Sequence, residues 1–197
     1  MRVGLLGGTF DPVHLGHVAA AEVALRCAQL DEVLLVPAAN PPHKPAALAP
    51  APARLEMCGL AIDRHERLAV SDLELQRDGP SYTLETLHAF RRERPADEPF
   101  LILGWDAARE IRSWHEPERV LENARLVVLS RPTLPPPTGE DLAKVGLVPE
   151  LVIVCRDPTP DIRATDIRTR AAGGEPLAGL VAPAVEEYIR AHGLYSS

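Results

Sequence analysis

Positions 7–17, which read GGTFDPVHLGH, combine residue types that suit the binding of an anion. Gly7 and Gly8 carry no Cβ atom, so a ligand can approach the backbone closely. His14 and His17 are three residues apart, which places both imidazoles on one side of a helix that starts there. The N-terminus of such a helix adds unpaired N–H groups and a partial positive charge. The segment therefore predicts an anion site in which two imidazoles donate hydrogen bonds.

Three other residues of the segment are expected to shape this site. Thr9 adds a hydroxyl group, Pro12 fixes the turn, and Gly16 keeps the space between the two imidazoles open. The helix that follows has its apolar residues at steps of three and four, and His14 continues that stripe toward the N-terminus. Both imidazoles should therefore face inward, beside the end of the first strand. The stripe consists of Val18, Ala21, Leu25 and Ala28.

Other readings of the segment are weaker. A Walker phosphate loop needs GxxxxGK[ST], and the segment has neither that lysine nor that spacing. A dinucleotide fold needs an acidic residue after the second strand, which instead ends in Val36-Pro37-Ala38. His14 and His17 could also bind zinc, but the sequence indicates no third ligand. They could also serve only as structural residues that cap the helix.

The rest of the chain alternates short apolar runs with helical patterns. Continuous apolar runs are typical of parallel strands that are covered on both faces, and strand–helix alternation predicts an α/β fold. We expect a doubly wound, mostly parallel Rossmann-like sheet with helices on both faces. The predicted strands are Val3–Gly7, Val33–Pro37, Leu68–Ser71, Phe100–Gly104, Leu126–Ser130 and Leu151–Cys155. The predicted helices lie near 14–30, 53–65, 82–93, 116–124, 164–172 and 182–192.

Length and composition limit the possible classes of protein. The 197 residues are 46% apolar and 25% charged, the balance of a globular protein, and we expect one domain over 1–197. No apolar run approaches the ~20 residues that cross a bilayer, and the N-terminus lacks the layout of a signal peptide. The net charge of −7 argues against a general nucleic-acid binder. We therefore expect neither a membrane nor a nucleic acid as partner.

The cysteines and the basic residues give two further expectations. Cys27, Cys58 and Cys155 are far apart, odd in number and form no CxxC, so we expect buried thiols in a reducing cytoplasm rather than disulfides. Of 21 basic residues only Lys44 and Lys144 are lysines. Because arginine predominates, a retained lysine suggests a need for a compact ammonium group. Lys44 lies in a long proline-rich loop from which it could reach a bound phosphate.

The opening segment resembles the GxFxPxHxGH signature of the nucleotidyltransferase superfamily, whose histidine pair is similar to the HIGH motif of class I aminoacyl-tRNA synthetases. Other segments resemble the bacterial type of nicotinate-mononucleotide adenylyltransferase across nearly the whole chain. Shorter superfamily members lack the Ser-Tyr-Thr and tryptophan elements. The matching segments are Pro41-Pro42-His43-Lys44, GPSYTLETL at 79–87, Gly104-Trp105-Asp106, Trp114 and 162–168.

This resemblance implies adenylyl transfer from ATP to nicotinate mononucleotide, which yields nicotinate adenine dinucleotide and pyrophosphate, with Mg²⁺ bound mainly by the substrate. It implies that the catalytic residues are His14, His17, Lys44 and Arg168. The implied ATP-binding residues are Gly7, Gly8, Thr9, Phe10, His14, His17, Lys44, Gly104, Asp106, Ile162, Thr165 and Arg168. The implied nicotinate mononucleotide site consists of Thr83, Asp106, Trp114 and His115, and we expect Ser81 to cap the helix predicted over 82–93.

Two positions depart from the family pattern. Relatives usually read Ile-Ser-Ser-Thr-x-Ile-Arg, whereas this chain has Arg163 and Ala164 in place of the serines. Arg163 either supplies a charge to the phosphates or faces solvent. Trp105 is bulkier than the usual small residue. The alternatives to the implied function are an adenylyltransferase for nicotinamide mononucleotide or another phosphate acceptor, and a nucleotide-binding module without catalysis.

Overall fold

A parallel β-sheet forms the centre of the molecule. The structure, a computed structural model, describes residues 1–40, 47–130 and 135–196. The described strands are β1 (Arg2–Gly8), β2 (Glu32–Pro37), β3 (Leu68–Val70), β4 (Glu98–Gly104), β5 (Arg125–Leu129) and β6 (Val152–Cys155). They pair in the order β3-β2-β1-β4-β5-β6, and every pairing is parallel. The doubly wound parallel sheet predicted from the sequence is therefore confirmed.

The strand order locates a crevice. Successive strands run outward from β1 in one direction and from β4 in the other, so the chain reverses between these two neighbours. Ligands of open α/β sheets bind at the carboxyl ends of the strands at such a reversal. The end of β1, where Gly7 and Gly8 pair with Val36 and Pro37 of β2, leads directly into the histidine segment. The fold thus brings that segment to the expected binding edge.

The helices follow the predicted positions closely, with two additions. The six predicted helices are present in the described part of the chain. Trp105–Arg109 and Gly139–Lys144 were missed, because five or six residues are too few for an apolar period to show. The helices are α1 (Leu15–Cys27), α2 (Ala51–Ile62), α3 (Thr83–Glu93), α4 (Trp105–Arg109), α5 (Pro117–Asn123), α6 (Gly139–Lys144), α7 (Ala164–Ala172) and α8 (Pro183–Ala191). Across the described ranges, none is long and apolar enough to span a bilayer.

Two apolar cores cover the two faces of the sheet. On one face α1, α2, α7 and α8 pack their buried residues against the strands, and on the other α3, α4 and α5 do so. The predicted stripe of α1 is buried, with Ala21 fully inaccessible and Val18, Leu25 and Ala28 at most 5% exposed. Burial of the strands on both faces explains why their sequences are continuously apolar.

The expectation for the cysteines is wrong for two of the three. Cys27, at the end of α1, and Cys155, at the end of β6, are joined in a disulfide. They are separated by 128 residues in sequence but meet because α1 packs against β6. Cys58 is a buried free thiol, as expected, and burial raises its pKa to about 12.

Lys44 and parts of both proline-rich segments (41–46 and 131–134) lie outside the described residues. The role predicted for Lys44 therefore stays a prediction.

Candidate functional site

A cavity of about 710 Å³ opens at the carboxyl ends of β1, β4 and β5. Its walls come from the end of β1, the first turn of α1, the end of β4 and the segment that leads into α7. All the predicted ATP-binding residues line it except Lys44, which is outside the described residues, and Asp106. The predicted residues in the lining are Gly7, Gly8, Thr9, Phe10, His14, His17, Gly104, Ile162, Thr165 and Arg168.

The two histidines form one stacked unit at the start of α1. His14 is the N-cap residue and only 7% exposed, and its ring lies 3.6 Å from the ring of His17, centroid to centroid. The backbone N–H of His14 donates to Nδ1 of His17 at 3.3 Å. A neutral imidazole that accepts at Nδ1 carries its proton on Nε2. The capping contact therefore sets His17 to donate from Nε2, so capping and ligand binding are compatible roles.

Gly7 and Gly16 of this segment are glycines for different structural reasons. A Cβ built on Gly7 meets nothing within 4 Å, and this strand residue is exposed to the cavity. A Cβ on Gly16 would lie 3.0 Å from the His14 ring and 3.2 Å from the carbonyl oxygen of Pro160. The expectation that Gly16 holds the imidazoles apart is wrong, because the rings stack directly. Gly16 instead lets the Pro160 segment pack against His14.

Phe10 connects the end of β1 to the histidines. Its φ of 49° is in the left-handed region, which is costly for a residue other than glycine. Its side chain is buried, and the edge of its ring contacts His17 with centroids 4.9 Å apart. One residue further along, the Asp11–Pro12 peptide bond is cis.

Sequence reasoning missed three polar residues behind this turn. Asp11 and Arg54 are buried, at 6% and 2% exposure, and Tyr195 near the C-terminus donates its hydroxyl to Asp11 at 2.8 Å. Burial, followed by the hydrogen bond to Asp11, raises the pKa of Tyr195, so the hydroxyl stays a donor. Burial lowers the pKa of Arg54, and the Asp11 carboxylate opposes that change. Asp11 is part of the recognised motif, but nothing in the sequence pattern sets Arg54 or Tyr195 apart.

The N-terminus of α7 forms the opposite wall of the cavity. Arg168 donates from Nη1 to the backbone oxygen of Asp11 at 2.7 Å, which joins α7 to the turn of residues 9–12 that follows β1, here called the β1 turn. Arg163 is the N-cap residue, and its exposed side chain lines the cavity, as does the exposed Thr165. The Arg163 side chain therefore faces the solvent and the cavity at the same time, so the two alternatives predicted for it describe one orientation.

The residues predicted for the acceptor lie together outside the lining of this cavity. Thr83 is the first residue of α3, and the ring of the preceding Tyr82 stacks on His115 at 4.2 Å. Trp114 is half-buried against the core that α3 helps to form. The expectation that Ser81 caps α3 is wrong, because Ser81 exchanges hydrogen bonds with Asn40: its Oγ accepts from the Asn40 amide at 2.9 Å.

Asp106 and its neighbour Trp105 begin α4. The Asp106 carboxylate lies 3.5 Å from Nη2 of Arg109, one turn further along the helix. Asp106 is absent from the cavity lining, although Gly104 and Ala107 on either side are part of it. Trp105 is 7% exposed and packs in the core, so its bulk is directed away from the cavity.

A second, smaller cavity of about 360 Å³ lies at the amino ends of β4 and β5. Its arginines are engaged in the protein: Arg91 donates to the Asn123 carbonyl and Arg112 to the Glu118 carboxylate, each at 2.9 Å. The larger cavity is the better candidate, because it combines imidazoles, an arginine and a helix N-terminus.

Known proteins are similar to this chain over nearly its whole length. The sequence model of a family described as cytidylyltransferase-like matches residues 5–170. A Thermus thermophilus protein named "Probable nicotinate-nucleotide adenylyltransferase" is 48% identical over 195 residues, covering 99% of this chain and all of its own. A protein of the same name from Pseudomonas fluorescens is 42% identical, covering 98% and 97% of the two chains.

Among solved structures, nicotinic acid mononucleotide adenylyltransferase from Plasmodium falciparum in complex with NaAD has the same fold. The TM-score is 0.77 at 18% identity, and the match covers 98% of this chain and 97% of the other.

Proposed function

We propose that this chain, which belongs to the cytidylyltransferase-like family, joins ATP to nicotinate mononucleotide. Within that family it belongs to the nicotinate-nucleotide adenylyltransferases. The products are nicotinate adenine dinucleotide and pyrophosphate. The observation that carries the proposal is the cavity in which the His14–His17 pair, Arg168 and the N-terminus of α7 converge. We further propose that the reaction takes place in the cytoplasm; the support for this is the metabolic role implied by the relatives, since the Cys27–Cys155 disulfide removes the argument from unpaired cysteines.

The chemistry requires no nucleophile from the protein. A phosphate oxygen of the mononucleotide attacks the α-phosphorus of ATP, and the bond from that phosphorus to the bridging oxygen of pyrophosphate breaks. Catalysis then consists of alignment and stabilisation of negative charge. A site made of hydrogen-bond donors and cations suits this task better than an acid–base pair.

His17 is assigned to the α-phosphate. Its Nδ1 accepts from the His14 amide at 3.3 Å, and we assign its Nε2–H to the ligand. Phe10 and His14 hold its ring from two sides, which fixes the direction of that donor before ATP binds. A donor that is oriented in advance stabilises developing charge without reorganisation.

The β- and γ-phosphates are assigned to the α7 wall. Arg168 has a planar guanidinium that can bind phosphate oxygens in a bidentate manner. The first amides of α7, from Ala164 and Thr165, have no acceptor within the helix, and both residues line the cavity. Lys44 is proposed to add its ammonium group to the same phosphates.

Mg²⁺ is proposed to arrive with the substrate. Among residues 1–40, 47–130 and 135–196 there is no group of three His, Cys, Asp or Glu that could hold a metal ion. A magnesium ion that keeps its waters and binds substrate phosphates does not need such a group. When bound, it neutralises charge on the phosphates, while the residues of the chain orient them.

The acceptor site is proposed at the start of α3. Thr83 offers an amide and a hydroxyl in the first helical turn, where a carboxylate is favoured by the helix dipole. Trp114 can stack on the pyridine ring, and the backbone N–H of His115 can bind the same carboxylate. Asp106 is proposed to accept hydrogen bonds from ribose hydroxyls.

The test is to incubate the protein with ATP, Mg²⁺ and each mononucleotide, and to measure the release of pyrophosphate. We expect rapid release with nicotinate mononucleotide and much slower release with nicotinamide mononucleotide. Equal rates would contradict the assignment of nicotinate as the acceptor. ATP binding without release from either mixture would instead indicate a binding module without catalysis.

A further inference from the structure

A polar cluster lies at the wall of the phosphate cavity; its central residue, Asp11, is part of the lining, and its other two members are not. It consists of Asp11, Arg54 and Tyr195, which come from the β1 turn, from α2 and from the C-terminal end of the chain. The reaction proposed above uses none of these side chains. Two of them are charged and almost inaccessible, an arrangement that is costly unless the charges and hydrogen bonds are matched.

Asp11 is the centre of the cluster. Its Oδ1 accepts from the Tyr195 hydroxyl at 2.8 Å and from the Ala49 amide at 3.0 Å, and its Oδ2 accepts from the Leu48 amide at 2.8 Å. Its backbone oxygen accepts from Arg168 at 2.7 Å. One residue therefore connects the C-terminus, the end of the proline-rich loop and the arginine assigned to the phosphates.

Arg54 holds the other end of the same turn. Its Nη1 donates to the backbone oxygen of Thr9 at 2.6 Å, and its Nε donates to the backbone oxygen of Ala49 at 3.1 Å. Phe10, with its φ of 49°, is thus fixed on both sides, at Thr9 by Arg54 and at Asp11 by Tyr195. Such a conformation persists only where the surroundings enforce it.

We propose that Tyr195 is a positioning residue for the triphosphate: through the Asp11 carboxylate it holds the Phe10 turn against His17 and keeps Arg168 at the cavity wall. Tyr195 touches no substrate. Its effect reaches the ligand in two ways, through the Phe10 ring that contacts His17 and through the Asp11 carbonyl that binds Arg168. The acceptor residues Thr83 and Trp114 belong to the opposite face of the sheet, so acceptor binding should not depend on the cluster. This inference rests on the proposed function, since it assigns Tyr195 to the ATP half of that site.

The test compares two tyrosines that each lose only a hydroxyl group. Tyr195→Phe removes the bond to Asp11. Tyr188→Phe is the matched control, because the Tyr188 hydroxyl donates to the exposed Glu56 at 3.0 Å, away from the cavity. Both variants are measured for the KM of ATP, the KM of nicotinate mononucleotide, the Kd of a non-hydrolysable ATP analogue, and thermal stability.

We expect Tyr195→Phe to raise the KM of ATP and the Kd of the analogue about fivefold, as for loss of one hydrogen bond to a charged group that acts indirectly. The KM of nicotinate mononucleotide should stay within about twofold, and Tyr188→Phe should change neither constant. Equal effects on both substrates, or no difference between the two variants, would overturn the inference. Because the analogue binds without turnover, its Kd tests Tyr195 even if the parent protein transfers nothing to nicotinate mononucleotide.

Discussion

The phosphate side and the acceptor side of the site are built differently. On the phosphate side, His14, His17 and Arg168 line one cavity. His17 contacts His14 and Phe10, and Arg168 donates to the Asp11 carbonyl oxygen. On the acceptor side, Thr83 and His115 are brought close by the stacking of Tyr82 on His115 and by the packing of α3 against α5. The acceptor residues also lie outside the lining of that cavity.

This difference shows which part of the site must be precisely oriented for catalysis. Charge develops on the α-phosphate and on the departing pyrophosphate, so donors aimed there must be oriented before reaction. The acceptor needs recognition of a flat ring and a carboxylate, for which one helix N-terminus and one aromatic face suffice. Changes on the phosphate side should therefore affect ATP binding or turnover, whereas changes on the acceptor side should affect selectivity.

The largest effect is expected from His17→Ala. Loss of one oriented donor to developing charge typically lowers kcat by ~10² or more. Steady-state turnover with saturating substrates measures it. His65→Ala is the control, because His65 pairs with Glu22 on the surface of the protein at 3.0 Å and should retain near-normal kcat. Near-normal turnover of His17→Ala would contradict the assignment of His17 to the α-phosphate.

Gly7→Ala should affect ATP binding without affecting folding. Apart from its chain neighbours, a Cβ at this position meets nothing within 4 Å in the described part of the chain, so it would enter the space assigned to the ligand. We expect the KM of ATP to rise about twentyfold, the scale of an inserted methyl group in a packed site, with an unchanged melting temperature. Gly59→Ala in α2, where a Cβ also meets nothing, is the matched control. A Gly7→Ala protein that binds ATP normally would show that this space is not occupied.

Thr83→Val tests the acceptor side through selectivity. Removal of a hydroxyl that bonds a carboxylate should raise the KM of nicotinate mononucleotide about tenfold. The KM of nicotinamide mononucleotide, which has no carboxylate, should not change. Nicotinamide mononucleotide therefore serves as the control substrate for the same variant. Parallel changes in both KM values would place the carboxylate elsewhere.

Arg163→Ser is expected to give the smallest effect. The side chain lines the cavity but is exposed, and exposed ion pairs contribute little. We expect inhibition by pyrophosphate to weaken about threefold, with the KM of nicotinate mononucleotide unchanged. Titration of the initial rate with pyrophosphate measures it. Stronger inhibition in the variant would show that the serine is the better ligand and that Arg163 only faces solvent.

The sequence predicts the sheet and most of the cavity because both depend on local patterns. Continuous apolar runs indicated all six strands. The glycines, proline and histidines of the 7–17 segment are enough by themselves to indicate an anion site. Arg54 and Tyr195 were not predictable, because their importance comes from contacts with residues 45 and 184 positions away. The Cys27–Cys155 disulfide was not predicted for the same reason, because its two cysteines are 128 residues apart in sequence. Ser81 was misassigned because its contact, Asn40, is also distant in sequence.

The central claim is that the triphosphate binds between the first turn of α1 and the N-terminus of α7. The most direct test is a crystal structure with a non-hydrolysable ATP analogue. The account predicts an α-phosphate oxygen within hydrogen-bonding distance of His17 Nε2, and the outer phosphates against Arg168. A triphosphate bound outside this cavity, with His17 making no contact to it, would contradict the account.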